Sequence, residues 1–523
     1  MWLLFGNRQT EVSEPAGGHA HLGKIARGST EANKNLKAVV WYAHLLGDGH
    51  SPVHSRRPWR LLINAAIVVL LLSCAPANSS LVKDNEDAAY RYFRLGKKSY
   101  TQGKYEKAIG YYEKALAINR DALGEKHPNT ASNYNNLGLA WISLGQYRKA
   151  IGYIEKALAI KREVLGEKHP STATTYNNLG GAWANLGQYR KAIGYFEKAL
   201  AINLEAFGEK HPNVATGYNN LGVAWRSLGN YRKAIGYIEK ALAIDLEALG
   251  EKHPKVAIRY NNLGQAWDSM GNYRKAIGYY EKALPIFREA LGELHPNVAT
   301  TYNQMGLAWD SLGKYRKAIG YYEKALAIYR RALGEKHPHT AIGYNNLGGA
   351  WDSLGKYRKA IGYYEKALAI DRKALGEKHP STATTYNNLG LAWNNLGQYQ
   401  KAIGYYDKAL DIFREALGEM HPSIAIGYNN LGGAWDSLGE YWKAIGYYEK
   451  ALAIDREMLG EKHPGTATDY NNLGEAWNSL GDYQKAIVNF EKALAIFSGT
   501  LPKGHPHIRL VEANLAAAKK QQR

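Results

Sequence analysis

The stretch YNNLGLAWISLGQYRKAIGYIEKALAIKREVLGEKHPSTAT, at residues 134–175, decides the fold of this chain. Close copies of it follow one another every 42 residues, and its opening YNNLG returns as far as Tyr470, with the variant YNQMG at Tyr302. A fixed period of about 20–50 residues is the sequence signature of a repeat protein. The 523 residues are therefore expected to form mainly one stacked array, because this length exceeds a single ordinary core.

Each copy contains the patterns of two helices. Tyr134, Leu137, Gly138 and Trp141 recur at i, i+3, i+4 and i+7, so they line one face of a first helix, which Gly145 ends. The second helix has its own apolar stripe, at Tyr147, Ala150, Ile151, Ile154, Ala157 and Leu158. Such a helical hairpin cannot bury both apolar faces alone, so it must stack on its neighbours.

The connector between hairpins has a glycine and a His-Pro pair. Gly166 is a natural cap for the end of the second helix, and Pro170 suits the first turn of the next one. Ten His-Pro pairs recur from His127 to His505, each a whole repeat from the next. Because this spacing prevents a cluster around one ion, we predict capping and connector packing for these histidines and no metal site.

The spacing within the unit resembles the tetratricopeptide repeat (TPR) signature, carried here by Tyr134, Leu137, Gly138, Trp141, Gly145, Tyr147, Ala150 and Ala157. The 42-residue period and the LGEKHP connector resemble the longer, kinesin-light-chain-like subclass. The resemblance implies an all-α, right-handed superhelical solenoid of about ten hairpins over residues 90–507. A capping helix and tail follow at 508–523, in which Leu510, Ala513 and Leu515 are expected to cover the last hairpin.

The segment before the array has the plan of a secretory signal. Residues 1–52 are predicted to be a disordered or mis-annotated extension, and 53–73 the signal, with a 12-residue apolar stretch from Leu61 to Leu72. That stretch is short of the roughly 20 residues that a transmembrane helix needs. A short signal-anchor or a buried apolar helix is the alternative interpretation. Residues 74–89 are read as a linker.

The only cysteine gives a second indication. Leu71-Leu72-Ser73-Cys74 resembles the lipobox of bacterial lipoproteins, which implies lipidation of Cys74. Ala75 follows where an aspartate would favour inner-membrane retention, so the resemblance implies an outer-membrane anchor facing the periplasm or the exterior. A cytoplasmic location without an anchor is the alternative. A single cysteine excludes an intramolecular disulfide and a cysteine-cluster metal site.

Composition and motifs give little support to catalysis or nucleic-acid binding. The net charge of +20 suggests nucleic acid or an acidic membrane surface as a partner, but basic residues such as Arg148, Lys149 and Lys156 recur with the repeat and are typical of a solvated convex face. The tryptophans from Trp141 to Trp477 are read as core and not as base-stacking residues. No phosphate-binding loop, nucleophile elbow or HExxH motif is present. We expect no enzyme, no cofactor and no small-molecule substrate, and a nucleic-acid-binding solenoid is a distant alternative.

The first asparagine of YNNLG is the main candidate for function. In TPR proteins its stripe of the first helix lines the concave groove, and a carboxamide can both donate to and accept from a peptide backbone. These residues form what we call the Asn ladder: Asn135, Asn177, Asn219, Asn261, Asn303, Asn345, Asn387, Asn429 and Asn471. The alternative is that the ladder only bonds adjacent helices to each other. The second asparagine, beginning with Asn136, is read as structural.

Two variable rows of the same stripe could select side chains of a ligand. The Leu139 row consists of Leu139, Gly181, Val223, Gln265, Leu307, Gly349, Leu391, Gly433 and Glu475. The Ile142 row consists of Ile142, Ala184, Arg226, Asp268, Asp310, Asp352, Asn394, Asp436 and Asn478. Because four of the last six are aspartates, we predict a protein or extended-peptide partner with basic residues along the C-terminal half of the groove. The expected function is therefore a protein-binding scaffold or adaptor for assembling an envelope complex, with a cytoplasmic adaptor as the alternative.

One row of glycines is unusual, because it lies inside the second helix on its predicted exposed side: Gly110, Gly152, Gly194, Gly236, Gly278, Gly320, Gly362, Gly404 and Gly446. Each costs about 1 kcal/mol relative to alanine in a helix. Close packing between neighbouring hairpins is the hypothesis that would explain them.

Overall fold

The structure, a computed structural model, describes residues 85–523, which form 21 α-helices and no strand. The predicted extension, the signal with Cys74, and residues 74–84 of the predicted linker lie outside this range, whereas 85–89 lie in the first helix. The helices are α1 (85–101), α2 (Tyr105–Leu123), α3 (Pro128–Ser143), α4 (Tyr147–Leu165), α5 (Pro170–Asn185), α6 (Tyr189–Phe207), α7 (Pro212–Ser227), α8 (Tyr231–Leu249), α9 (Pro254–Ser269), α10 (Tyr273–Leu291), α11 (Pro296–Ser311), α12 (Tyr315–Leu333), α13 (Pro338–Ser353), α14 (Tyr357–Ala374), α15 (Pro380–Asn395), α16 (Tyr399–Leu417), α17 (Pro422–Ser437), α18 (Tyr441–Met458), α19 (Pro464–Ser479), α20 (Tyr483–Thr500) and α21 (Pro506–Gln522).

The helices pair into ten hairpins, with α1 and α2 as hairpin 1 and α19 and α20 as hairpin 10. Each helix packs against the one before it and the one after it in the chain, so the hairpins stack into a solenoid. Successive first helices also contact one another more closely than successive second helices do. The first helices therefore line the inner, concave side, and the predicted all-α solenoid is confirmed.

The connector residues begin and end the helices as the sequence indicates. In the ten His-Pro pairs, Nδ1 of the histidine accepts a hydrogen bond from the backbone N–H two residues later, as His169 does from Ser171 at 3.0 Å. Proline follows at the first helical position, where its missing N–H is not needed. Gly166 caps the end of α4 with a φ of +91°, which glycine adopts without strain. The predicted capping role of the histidines is confirmed.

Glycine has opposite environments on the two helices. An ideal Cβ on Gly348, in the YNNLG of α13, would lie 2.5 Å from Cε1 of Tyr364, so the two helices pack closely only because a side chain is missing. Within residues 85–523, no atom lies within 4 Å of an ideal Cβ on Gly362 or on the other mid-helix glycines of the second helices. The hypothesis that these glycines mediate close packing is therefore wrong.

We expect Gly362→Ala to raise the free energy of unfolding by up to about 1 kcal/mol, because alanine fits the space and favours the helix. Gly348→Ala in the same hairpin should lower it by about 1–3 kcal/mol, because its methyl group would overlap the Tyr364 ring. Urea unfolding of the two variants side by side measures both effects. A loss of stability in Gly362→Ala would contradict the first expectation.

The last helix covers hairpin 10 with a face that differs from the predicted one. The buried residues of α21 are Ile508, Val511 and Ala518, whereas Leu510 is 49% exposed and Ala513 is also exposed. Leu515 is partly buried against the last core cluster. The prediction of Leu510 and Ala513 as covering residues is therefore wrong, because the apolar period begins at Ile508 and runs i, i+3, i+7, i+10.

Successive turns of the superhelix touch along a line that we call the seam. Each seam contact joins the glycine turn between the two helices of one hairpin to the His-Pro start of the hairpin six places later. Nε2 of His379 donates to the carbonyl oxygen of Ser143, 3.2 Å away and 236 residues earlier. His421 repeats this contact with Asn185 at 3.3 Å. About six hairpins therefore make one turn of the superhelix.

Candidate binding groove

The Asn ladder lies on the first helices, where its carboxamides bond from one hairpin to the next. Nδ2 of Asn178 donates to Oδ1 of Asn135 at 2.9 Å, and so the second asparagine of one hairpin holds the first asparagine of the hairpin before it. The same bond recurs from Asn220 to Asn177, Asn262 to Asn219, Asn430 to Asn387, Asn472 to Asn429, and Asn514 to Asn471. Both asparagines of YNNLG thus contribute to stacking.

Burial limits what the ladder can bind. Asn135, Asn219, Asn261, Asn303 and Asn471 are buried, whereas Asn177, Asn345, Asn387 and Asn429 are half-buried. A ligand could contact the buried carboxamides only if hairpins moved apart. Binding of a peptide backbone by the ladder stays a prediction, and it applies best to the half-buried members.

The Leu139 row shows that the groove is closed in one half and open in the other. Its members in hairpins 2–5 are all buried: Leu139, Gly181, Val223 and Gln265. From hairpin 6 onward the row becomes accessible, with Leu391 38% exposed and Glu475 exposed. The closed half coincides with the hairpins whose glycine turns are covered across the seam. Within residues 85–523, the Leu139 row is therefore accessible only in hairpins 6–10.

The aspartates of the open half line this surface. Asp310, Asp352 and Asp436 are half-buried, and Oδ2 of Asp352 accepts from Nδ2 of Asn395 in the next hairpin at 2.9 Å. Oδ1 of all three is buried within the protein and has no hydrogen-bond partner among residues 85–523. Burial raises the pKa of each carboxyl above its ordinary value. The row thus places half-buried acidic groups along this surface, and a nearby cation would stabilise their charged form.

Arg226 and Asp268 lie together in hairpins 4 and 5, at the end of the closed half that adjoins the open half. Nη1 of Arg226 donates to Oε1 of Gln265 at 2.7 Å, and the guanidinium is buried. Burial raises the pKa of Asp268 to about 6, although the Arg226 charge opposes the shift. These two predicted site residues are therefore brought together, with Arg226 buried and Asp268 half-buried.

The tryptophans and the repeated basic residues lie where the sequence predicts. Trp141 and its equivalents pack against the core clusters, and Trp477 is buried. Arg148, Lys149 and Lys156 are exposed, with Nζ of Lys149 3.6 Å from the centre of the Trp141 ring. This cation–π contact recurs in hairpins 2–10, so part of the positive charge stabilises each hairpin.

Sequence reasoning missed an aromatic cavity beside the last glycine turn. Trp442 is 66% exposed, and its ring meets that of Trp477 edge to face with centroids 5.4 Å apart. Both rings line a cavity of about 520 Å³ with Leu480, Gly481, Asp482, Tyr483, Gln484, Lys485 and Gln522. The available signal was the tryptophan itself, since most hairpins have arginine at that position.

No group of three or more histidine, cysteine, aspartate or glutamate side chains within residues 85–523 could hold a metal ion. The ten histidines of the His-Pro pairs each act as a helix cap, as described above.

The tetratricopeptide repeat profile matches the chain from residue 92 to residue 498, in overlapping units at 92–163, 140–205, 182–247, 214–289, 269–331, 310–373, 353–394, 381–457 and 437–498. This chain belongs to the tetratricopeptide repeat family. The match covers well over half of the protein, so the resemblance seen in the sequence is confirmed at the level of the TPR family.

Several solved TPR structures are similar to this chain. A putative kinesin light chain from Podosopora anserina with nearly identical TPR-like repeats is 23% identical; the alignment covers 39% of this chain and 97% of that one, with a TM-score of 0.33. BtubC (BKLC) from P. vanneervenii is 29% identical, over 44% and 91% of the chains, with a TM-score of 0.36. A Rap protein complexed with competence and sporulation factor is 16% identical, over 67% and 98%, with a TM-score of 0.43. No curated protein matches significantly.

Proposed function

We propose that this TPR protein is a non-catalytic scaffold that binds a protein or extended peptide with basic residues in the open half of its groove. The observation that supports the proposal is the row of half-buried Asp310, Asp352 and Asp436 on the inner surface of hairpins 6, 7 and 9. A lysine or arginine of the ligand would form charge-assisted hydrogen bonds with the accessible atoms of these carboxyl groups. The half-buried ladder members Asn345, Asn387 and Asn429 lie on the same inner surface.

Reversing the charge of the row tests the proposal. We expect Asp310→Lys with Asp352→Lys to weaken binding of an extended lysine-rich peptide at least tenfold, because each new cation repels the ligand where a carboxylate attracted it. The measurement is fluorescence anisotropy with this peptide and with a version in which glutamine replaces lysine.

A matched control separates the groove from the net charge. Glu323→Lys with Glu365→Lys makes the same change of charge on exposed second-helix positions of the same two hairpins. This control should retain most of the affinity. Equal losses in both double variants, or equal affinity for the two peptides, would disprove recognition by the aspartate row. A steep salt dependence of binding to DNA would instead favour the nucleic-acid alternative.

We further propose that the scaffold is tethered to the bacterial envelope through lipidated Cys74, with a cytoplasmic adaptor as the alternative. The support is the signal-like segment 53–73 and the lipobox-like residues before Cys74. No helix within residues 85–523 is long and apolar enough to cross a membrane. Wild type should fractionate with outer membranes and Cys74→Ala should not. Wild type in the soluble fraction would contradict the anchor without affecting the groove proposal.

A further inference from the structure

Each seam contact has two different halves, and within one molecule they meet only where hairpins six places apart face each other. One half is the glycine turn of a hairpin, which is covered in hairpins 1–5: Gly103, Gly145, Gly187, Gly229 and Gly271. The other half is the His-Pro start that covers it, at His337, His379, His421, His463 and His505. An ideal Cβ on Gly187 would lie 2.8 Å from Cδ of Pro422, so the proline ring packs directly on the turn.

The same halves are uncovered at opposite ends of the described superhelix. No atom of residues 85–523 lies within 4 Å of an ideal Cβ on the later turns Gly313, Gly355, Gly397, Gly439 and Gly481. The earlier starts, at His127, His169, His211, His253 and His295, contact none of the glycine turns in this range. His379 is 3% exposed in the seam, whereas His169 is exposed.

We propose that the uncovered glycine turns of one molecule bind the uncovered His-Pro starts of a second copy of this chain. The two halves are different and lie at opposite ends, so the interface is heterologous, and repeated contacts of this kind build an open helical filament. The near-identity of the repeats supports this occupant, because a second copy presents the residues that already fill the internal seam.

The register of α21 fixes which hairpins meet. Nδ2 of Asn514 in α21 donates to Oδ1 of Asn471 at 3.1 Å, which is the bond that links five pairs of first helices elsewhere in the array. Since α21 thus occupies the place of an eleventh first helix, the second copy begins one hairpin later. Its four starts at His127, His169, His211 and His253 then meet the turns at Gly355, Gly397, Gly439 and Gly481.

Trp442 and its cavity lie on the uncovered end. Arg190 occupies the equivalent position in hairpin 3, and its Nη1 lies 3.5 Å from the carbonyl oxygen of Glu457 across the internal seam. Trp442 therefore lies at a position whose side chain contacts the next turn of the superhelix in hairpin 3, yet Trp442 itself is 66% exposed. An exposed tryptophan beside a cavity at Gly481 is typical of a protein interface.

Two double variants block one end each. The start variant, Pro170→Glu with Pro212→Glu, places an acidic residue at a first helical position, where the helix dipole favours it. The turn variant, Gly397→Asp with Gly439→Asp, uses a residue that tolerates positive φ better than most. Circular dichroism should show that both retain the helical fold. Sedimentation velocity of the full-length chains then measures assembly.

Wild type should rise above its monomer mass of 58.2 kDa as concentration increases, and electron microscopy should show rods of constant width. Each variant alone should stay monomeric. An equimolar mixture should form dimers and stop, because the turns of the start variant still fit the starts of the turn variant. Wild type that stays monomeric overturns the proposal. Variants that still assemble alone, or a mixture that grows past dimers, also overturn it.

Discussion

Replacing Arg259 with methionine should lower the free energy of unfolding by about 3–5 kcal/mol, the range for breaking a buried ion pair from one side. Nε of Arg259 in α9 lies 2.9 Å from Oδ2 of Asp245 in α8, and the two side chains are 4% and 0% exposed. The substitution leaves the Asp245 carboxylate in the interior without its cation. The unpaired buried charge, more than the lost bond, accounts for the cost.

A second pair of the same array supplies the control. The positions equivalent to Asp245 and Arg259 are Phe413 and Gly427 in hairpins 8 and 9. Asp245→Phe with Arg259→Gly should therefore recover most of the stability that Arg259→Met loses. Urea unfolding measures the total, and hydrogen exchange of α8 and α9 localises the effect. A loss below about 1 kcal/mol, the level of an exposed pair, would contradict the burial argument.

Acid should open the seam while the hairpins stay helical. Burial lowers the pKa of His337 to about 3, and that of His379, His421 and His463 to about 4. Nδ1 of His379 accepts from the Ser381 N–H at 2.9 Å, so its Nε2 carries the proton that bonds to Ser143. Protonating Nδ1 would remove this acceptor and place a charge in the seam.

The direction of the pH effect follows from these shifts. The closed seam lowers the histidine pKa below its ordinary value of 6.5. The neutral histidine therefore stabilises the closed seam fully above pH 6.5, and this stabilisation is lost as pH falls towards 4. Oδ2 of Asp371 accepts a hydrogen bond from the Thr385 hydroxyl of the next hairpin at 2.9 Å. Burial raises the pKa of Asp371 to about 7, so this carboxyl contributes stability at low pH and loses it as pH rises. Acid therefore weakens the seam without weakening this contact between hairpins.

Small-angle X-ray scattering should show the radius of gyration increasing between pH 7 and pH 4.5, with an unchanged far-ultraviolet circular dichroism spectrum. His379→Asn with His421→Asn is the matched variant, because asparagine caps a helix but does not titrate in this range. Its radius should change less. A wild-type radius that is constant over this range would show that the rings do not hold the seam closed.

The fold could be predicted from the sequence because everything that defines a hairpin is local. The stripe of Tyr134, Leu137 and Trp141, the turn at Gly145 and the His-Pro start all lie within one 42-residue period. The face of α21 was predicted wrongly because two alternative stripes, one starting at Ile508 and one at Leu510, fit the apolar residues of that short segment. Only the core that α21 contacts decides between them.

The candidate groove was predicted less completely, for a geometric reason. The aspartate row follows from helical periodicity, since Asp310 and Asp352 occupy one position in successive first helices. Closure of hairpins 2–5 depends instead on the small rotation between hairpins, summed over a whole turn, which no single repeat encodes. The hydrogen bond from Asn178 to Asn135 likewise depends on the distance between adjacent first helices.

The seam also makes the chain tolerant of changes in its own length. Repeats this similar in sequence invite gain or loss of whole units by recombination. Because hairpins 2–10 each carry both a glycine turn and a His-Pro start, a shortened array still places a turn against a start wherever a hairpin or α21 lies six places further on. Removing one hairpin costs one seam contact and leaves the others in register. Evolution could thus adjust the reach of the groove in steps of 42 residues while the closed superhelix persists.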